Sequence, residues 1–391
     1  MNSKWQRIIF AVVYLAYTSI YIARVNLSMA GPELIDSNFL NTVQLGILGS
    51  VFSTIYAIGR LVNGGLSDKN PPWLMLTIGL TLAGVSNIFI SFFPPFIGIF
   101  ILWTANAYAQ SMLWSSVLCV VSGIYDETTA KTKTSVMVTS VAMGNILGIV
   151  INTFFITKFG TRFAFAVPGL LTIVLGIMVF FTTKKVDYVS KVKTKHVSML
   201  SLLKNKELSV MTIPAMLHGV MKENISLWMT VYVVDRYAVD LSTSSYYVLL
   251  IPVIGFIGRT AYPLFYKLCK SRENTVSLLG FVVCALSAAL ICTKVSIVVS
   301  VLSLSIIYAA VSMINTSFLA MYPLHYVSTG NVASVSGIMD FATYFGAGIS
   351  GVIYGVLIKN FGYVPMFVSW VIISVISMVL IYKVNHKKQD I

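Results

Sequence analysis

Tyr17-Thr18-Ser19-Ile20-Tyr21-Ile22-Ala23-Arg24-Val25-Asn26-Leu27-Ser28 lies inside the first long apolar run of the chain and carries an arginine where hydrocarbon is expected. A cation near the bilayer midplane costs about 3 kcal/mol on insertion scales. Such a residue is kept when it faces protein, water or an anion. Tyr14, Tyr17, Tyr21, Arg24 and Ser28 recur at three- and four-residue spacing, so in a helix they share one face. The pattern predicts a cavity-lining face on which Arg24 binds an anionic substrate.

The surrounding chain sets the class. Of 391 residues, 57% are hydrophobic and only 10% are charged, a composition that belongs to a polytopic membrane protein. Apolar runs bounded by Gly, Pro or charged clusters fall at approximately 6–27, 42–66, 73–93, 95–122, 133–157, 161–182, 208–234, 244–266, 274–293, 295–322, 331–357 and 362–383. Each is long enough to cross roughly 30 Å of hydrocarbon as a helix. Barrel strands would instead alternate over about ten residues. The expected fold is therefore all-α, with twelve transmembrane helices and no cleavable leader.

The net charge of +14 invites a nucleic-acid reading, and its placement argues against one. Eighteen of the 27 Lys and Arg fall on the side shared by the N-terminus, the central loop and the C-terminus, and five on the other. That asymmetry is the positive-inside pattern, with both termini cytoplasmic in a cell membrane. The remaining four cations, Arg24, Arg60, Lys222 and Arg259, lie within spans. Cys119, Cys269, Cys284 and Cys292 show neither a metal-ligand spacing nor a disulfide framework.

The longest polar interval, 184–207, reads as a cytoplasmic linker between six-helix bundles at 1–183 and 208–391. The halves echo one another. Arg24 and Lys222 stand 198 residues apart, each in the first span of its half; Ile58-Gly59-Arg60 and Ile257-Gly258-Arg259 stand 199 apart, each in the second. Two parallel repeats about a pseudo-twofold axis normal to the membrane are expected, with the binding site where they meet.

The charge balance inside the spans is positive, since only Glu223 and Asp340 are clearly intramembrane acids. Such an excess disfavours a cation pathway and suits a polyanion. Arginine offers a planar fork of donors that matches phosphate or carboxylate oxygens, and lysine adds a point charge. Arg24, Lys222 and Arg60 are the candidate anion ligands, with Tyr17 and Tyr21 beside them; Arg259 nears the cytoplasmic end and can snorkel. Gln110, on a stripe with Trp103, Asn106 and Trp114, and Tyr308 and Asn315, on a face with Ser312 and Tyr322, either line the cavity or bond helix to helix. His218, one turn before Lys222, either packs or contacts the anion. Glu223 projects some 100° round the helix from Lys222, so the two need not pair directly. Asp340 either neutralises charge or carries a coupling proton.

Nothing in the sequence supports catalysis. It has no phosphate-cradling Gly-rich loop, no metal spacing and no nucleophile elbow. Transport driven by gradients, with no cofactor and a monomeric carrier, is the expectation.

Several segments together resemble the organophosphate:phosphate antiporter branch of the major facilitator superfamily, over nearly the whole chain. Tyr17, Tyr21 and Arg24 look like its Tyr-x-x-x-Tyr-x-x-Arg; Tyr56-Ala-Ile-Gly-Arg60 followed by Ser67-Asp-Lys-Asn-Pro71 is similar to its Tyr-x-x-x-Lys and Ser-Asp-Arg-x-x-Pro. Gln110-Ser-Met-Leu-Trp114 looks like Gln-Gly-Met-Gly-Trp, Lys222 falls where the branch has a second substrate arginine, and Gly337 to Gly362 follows its Gly-rich span eleven. The resemblance implies exchange of an organic phosphate for inorganic phosphate by rocker-switch alternating access, with Arg24 and Lys222 on the phosphate and Asp68 and Lys69 in a gating loop. The sequence departs from the branch at Lys222 (for Arg), at Val141 (for His), at Val25 (for Lys) and near Leu227, where an acid is expected. The stretch Arg24 to Ser28 is also similar to proton-coupled anion symporters, and one member of the branch senses sugar phosphate without transporting it. Both readings stay open on the sequence.

Overall fold

A computed structural model describes residues 3–67, 70–184, 186, 202–293, 295–326 and 331–387. Its elements are helices: α1 Ser3–Asp36, α2 Thr42–Ser67, α3 Pro72–Ile90, α4 Phe96–Ser111, α5 Leu113–Ile124, α6 Glu127–Phe159 and α7 Thr161–Thr183, then α8 Lys206–Tyr237, α9 Leu241–Val248, α10 Leu250–Leu268, α11 Glu273–Cys292, α12 Ile297–Thr316, α13 Val332–Phe361 and α14 Val364–Lys387. A short π-helical stretch, Ser317–Met321, and a 3-10 stretch, Tyr322–Tyr326, continue α12.

Among the described residues, eleven helices are long and apolar enough to cross a membrane, α4 with α5 and α9 with α10 each counting as one. The twelfth long helix is α8. Its 32 residues suffice for a crossing, but Lys222 and Glu223 at its centre lower its hydropathy. The expected twelve-span, all-helical fold is what the chain adopts. Its first helix runs nine residues past the expected end at 27, through Pro32 to Asp36. Hydropathy marks only the part in hydrocarbon, whereas Met29, Ala30, Gly31 and Leu34 stay buried against neighbours and keep the helix wound.

Local chemistry sets the ends. Pro71 and Pro72 open α3, where a missing N–H costs nothing. The Asp126 carboxylate accepts from the Thr129 amide at 3.1 Å, and Asn205 accepts from the Glu207 and Leu208 amides. Asp240 caps α9, and the hydrogen bonds it receives from Thr243 hold its carboxyl below the ordinary range. Gly160 (φ 98°) and Gly362 (φ 72°) end α6 and α13, the fifth span of each half, in a backbone region that glycine enters without strain. The two glycines add a third echo between the halves.

The chain forms two compact units. The first comprises Met1–Asn41, Ile55–Lys193 and Asp240–Ser245. In it α1 packs on α6 and α7, and α3 on α7 and α4. The second comprises Thr42–Thr54, Thr194–Val239 and Tyr246–Ile391; here α8 packs on α13, α10 on α12, and α11 on α14. Thr42–Thr54 and Asp240–Ser245 thus fall on the other side of the division expected at the linker. The reason for the first is visible at Ser50, whose Oγ accepts from the Val352 amide at 2.7 Å where small residues let the backbones approach. Most of that linker (185 and 187–201) and the expected gating residues Asp68 and Lys69 lie outside the described residues.

Candidate functional site

In the first unit, α1 and α2 bring two guanidinium groups to one aromatic ring. The Arg24 Cζ lies 5.3 Å from the Tyr56 ring centroid and 5.9 Å from that of Tyr21, and the Arg60 Cζ lies 5.8 Å from Tyr56. Arg60 follows Tyr56 by one helical turn, so both side chains leave α2 on the same face. Tyr17 is buried, with its ring centroid 5.6 Å from Tyr21 and 5.3 Å from Trp114 of α5. Tyr14 reaches across to Thr139 of α6, hydroxyl to hydroxyl, at 2.9 Å. The face of α1 that carries Arg24 thus meets three other helices; the rings against the arginine come from α1 and α2, and Trp114 of α5 packs behind them on Tyr17. Such rings stabilise a cation through their faces while its N–H groups point elsewhere. Two forked donor sets over one ring can hold an oxyanion bidentately. Tyr56 is the residue that spacing on α1 alone missed; its position one turn before Arg60 was the available signal.

Gln110 has a different place from the one expected of a cavity ligand. It is buried, and its Nε2 donates to Asn106 Oδ1 at 3.1 Å. Asn87 Nδ2 reaches the same oxygen at 3.4 Å, and Asn26 Nδ2 donates to Asn87 Oδ1 at 2.7 Å. Four amides thus join α1, α3 and α4 through the interior, which is the helix-to-helix role. A second buried pair, Asn63 Nδ2 to Ser111 Oγ at 2.7 Å, ties α2 to α4 beside Gly59.

In the second unit the surroundings of Lys222 correct one expectation. Lys222 Nζ donates to Glu223 Oε1 at 2.8 Å, so the two side chains do pair directly. The angle between Cα–Cβ directions separates their stems, but both chains are long enough to bend to a common point. Lys222 Nζ also lies 5.2 Å from the Tyr344 ring centroid, on α13, and Tyr308 of α12 acts on it from nearby. The Tyr308 ring rests against Gly255 of α10. Asp340, 9% exposed, precedes Tyr344 by one turn.

His218 takes the packing role. It is fully buried, its Nε2 donates to the Val311 carbonyl at 3.0 Å, and its ring meets Phe318 edge-on at 6.2 Å. Asn315 is half-buried, and its Oδ1 has no hydrogen-bond partner among the described residues. Tight helix contact positions the whole group: Gly219, one turn before Glu223, presses on the Thr343 carbonyl, and Gly346 presses on Met216. Asn224 then bonds Ser350 at 2.7 Å and accepts from Trp228 Nε1 at 3.1 Å, holding α8 against α13.

The matching glycines also show the repeat in three dimensions. Gly59 packs on Ser111 and Tyr108 of α4, and Gly258 packs on Ala309 of α12, the corresponding helix of its half.

Comparison with known proteins agrees with this architecture. Residues 13–351 match the family described as Major Facilitator Superfamily. The chain is 32% identical over 177 residues to the probable hexose phosphate transport protein of Chlamydia trachomatis, a match covering 44% of this chain and 38% of that protein. It is 23% identical over 278 residues to the membrane sensor protein UhpC of Escherichia coli, covering 65% of this chain and 63% of UhpC. These matches therefore span less than two thirds of each relative's length. Among solved structures, the nucleoside transporter NupG superposes with a TM-score of 0.77 at 15% identity, over 99% of this chain and 99% of that one. At that identity the likeness is one of fold. A twelve-helix chain with repeated halves, matched to one family over residues 13–351, belongs to the Major Facilitator Superfamily, and its similarity within it runs to the organophosphate:phosphate antiporter branch.

Proposed function

We propose that the protein is a secondary active transporter of an organic phosphate anion, exchanging it for inorganic phosphate through rocker-switch alternating access in the cell membrane, with both termini cytoplasmic. One observation carries the reading: Arg24 and Arg60, from two transmembrane helices, converge on the Tyr56 ring at 5.3 and 5.8 Å. Two guanidiniums brought together in a low-dielectric setting favour an anion that both can hold, and phosphate matches their forks. The name of the Chlamydia relative, a probable hexose phosphate transport protein, supports the same substrate class. The six-span halves would be the moving parts, and Lys222 would be the anion ligand of the second.

Counterflow of labelled phosphate in proteoliposomes tests this. Uptake that is accelerated by internal phosphate and competed by phosphate esters is expected, and Arg24→Ala should abolish it. Full transport by Arg24→Ala would remove the site assignment. A second reading, a receptor that binds without carrying, is favoured by the sensor among the relatives. Phosphate-ester binding with no flux would select it.

A further inference from the structure

Lys222 and Glu223 are consecutive residues near the centre of α8, and their side chains are 16% and 14% exposed. Adjacent helical residues leave the backbone about 100° apart. Both side chains bend toward each other to reach the 2.8 Å contact. Among the described residues, the groups near them come from α13, α12 and α8. Tyr344 comes from α13, where Asp340 stands one turn before it, Tyr308 comes from α12, and His218 from α8 itself is held on the Val311 carbonyl. From α14, Ser374 touches Met221 through its hydroxyl. Tyr344 and Tyr308 present rings and phenol groups rather than charges. The carboxylate on the ammonium is thus one built into the same helix.

An ammonium and a carboxylate in such a place stabilise each other, and either alone is costly. An anion that binds Lys222 must take the ammonium from Glu223. A phosphate and an ionised carboxylate beside one ammonium repel, whereas a protonated carboxyl does not. The protonated acid can also donate a hydrogen bond to a phosphate oxygen.

We propose that Glu223 is an internal counter-anion: it occupies Lys222 in the empty carrier, and it takes up a proton when phosphate displaces it. The step balances. Lys222 stays an ammonium throughout, the Lys222–Glu223 ion pair is exchanged for a Lys222–phosphate ion pair, and one proton from the aqueous side converts the carboxylate to the acid. Release of phosphate returns the proton and restores the pair. In the empty carrier Lys222 is therefore matched by its own neighbour, and the protein can reorient without cargo. Net proton-coupled uptake becomes possible beside exchange. This inference rests on the phosphate-carrier reading above.

The test uses the intact protein with inorganic phosphate as probe. In weakly buffered detergent solution, a pH indicator should record proton uptake on phosphate addition. Glu223→Gln should take up about one proton fewer per bound phosphate, the phosphate's own ionisation being common to both proteins. Above the pH at which Glu223 ionises, phosphate affinity should fall by up to about tenfold per pH unit more steeply in the wild type than in Glu223→Gln. In proteoliposomes, the ratio of pH-driven net uptake to exchange should fall sharply in Glu223→Gln, and Glu223→Asp should restore part of it. Equal proton uptake in both proteins, or an unchanged ratio, overturns the role of Glu223 and leaves the carrier reading standing. A wild type that neither binds nor exchanges phosphate or its esters overturns both.

Discussion

The guanidinium of Arg24 lies 5.3 Å from the centre of the Tyr56 ring, a contact between two helices of the first unit that also draws in Arg60 from the other end of the same turn. The ring is an uncharged spacer that two cations share. A cation–π contact contributes about 0.5–2 kcal/mol. Tyr56→Leu should therefore weaken phosphate binding by about tenfold, while Tyr56→Phe, which keeps the ring face, should stay within about threefold. Isothermal titration with inorganic phosphate distinguishes them, and equal loss in both variants would assign the role to the hydroxyl instead.

Lys222 carries a different expectation because of its neighbour. Lys222→Ala takes the ammonium away from the Glu223 carboxylate, and breaking a buried pair by removing one partner costs about 3 kcal/mol or more. The double variant Lys222→Ala, Glu223→Gln should recover most of the lost thermal stability in detergent but none of the phosphate binding. Lys222→Arg should retain both. A single variant as stable as the wild type would mean that the pair contributes little to the fold.

The amide chain through the first unit makes a third prediction. Asn87→Leu removes the acceptor for Asn26 and a donor to Asn106 at once, leaving buried amide groups without these partners. Each such group costs about 1–3 kcal/mol. A lower unfolding temperature is expected, with phosphate affinity reduced far less than in Arg24→Ala. Affinity loss that matches Arg24→Ala would place the amides at the ligand rather than between helices.

Gly219 supplies the fourth. Adding a methyl group there drives it into the Thr343 carbonyl, and backbone cannot rotate away as a side chain does. Gly219→Ala should cost about 1–3 kcal/mol, read as a lower unfolding temperature, and Gly219→Val more. Wild-type stability for Gly219→Ala would show that α8 and α13 can separate without cost.

The spans were legible because hydropathy over about 20 residues is a sum, insensitive to any one side chain. Arg24 was legible for the opposite reason: a single cation in hydrocarbon is so costly that it must have a purpose. The Lys222–Glu223 pair was not legible. A helical wheel reports where side chains begin, and these two are long enough to end elsewhere. The choice between the two roles of Gln110 stayed open because the chain beyond Asn106, to Asn87 and Asn26, runs through two other spans, and no periodicity within α4 points to them. Tyr56 stood out in the sequence as the start of the Tyr56–Arg60 motif, but its contact with Arg24, on another helix, could not be read from either span. His218 resolved to packing once Val311, 93 residues away, was seen to accept from it.

The reciprocal contact of Gly219 with Thr343 and of Gly346 with Met216 has a mechanical result. Two rods touching main chain to main chain at successive points have no slack in which to slide or roll. The ammonium of one and the phenol ring of the other, Lys222 and Tyr344, are therefore carried as passengers on a single stiff lever. Any displacement of one of these two helices therefore carries the ammonium and its aromatic seat together.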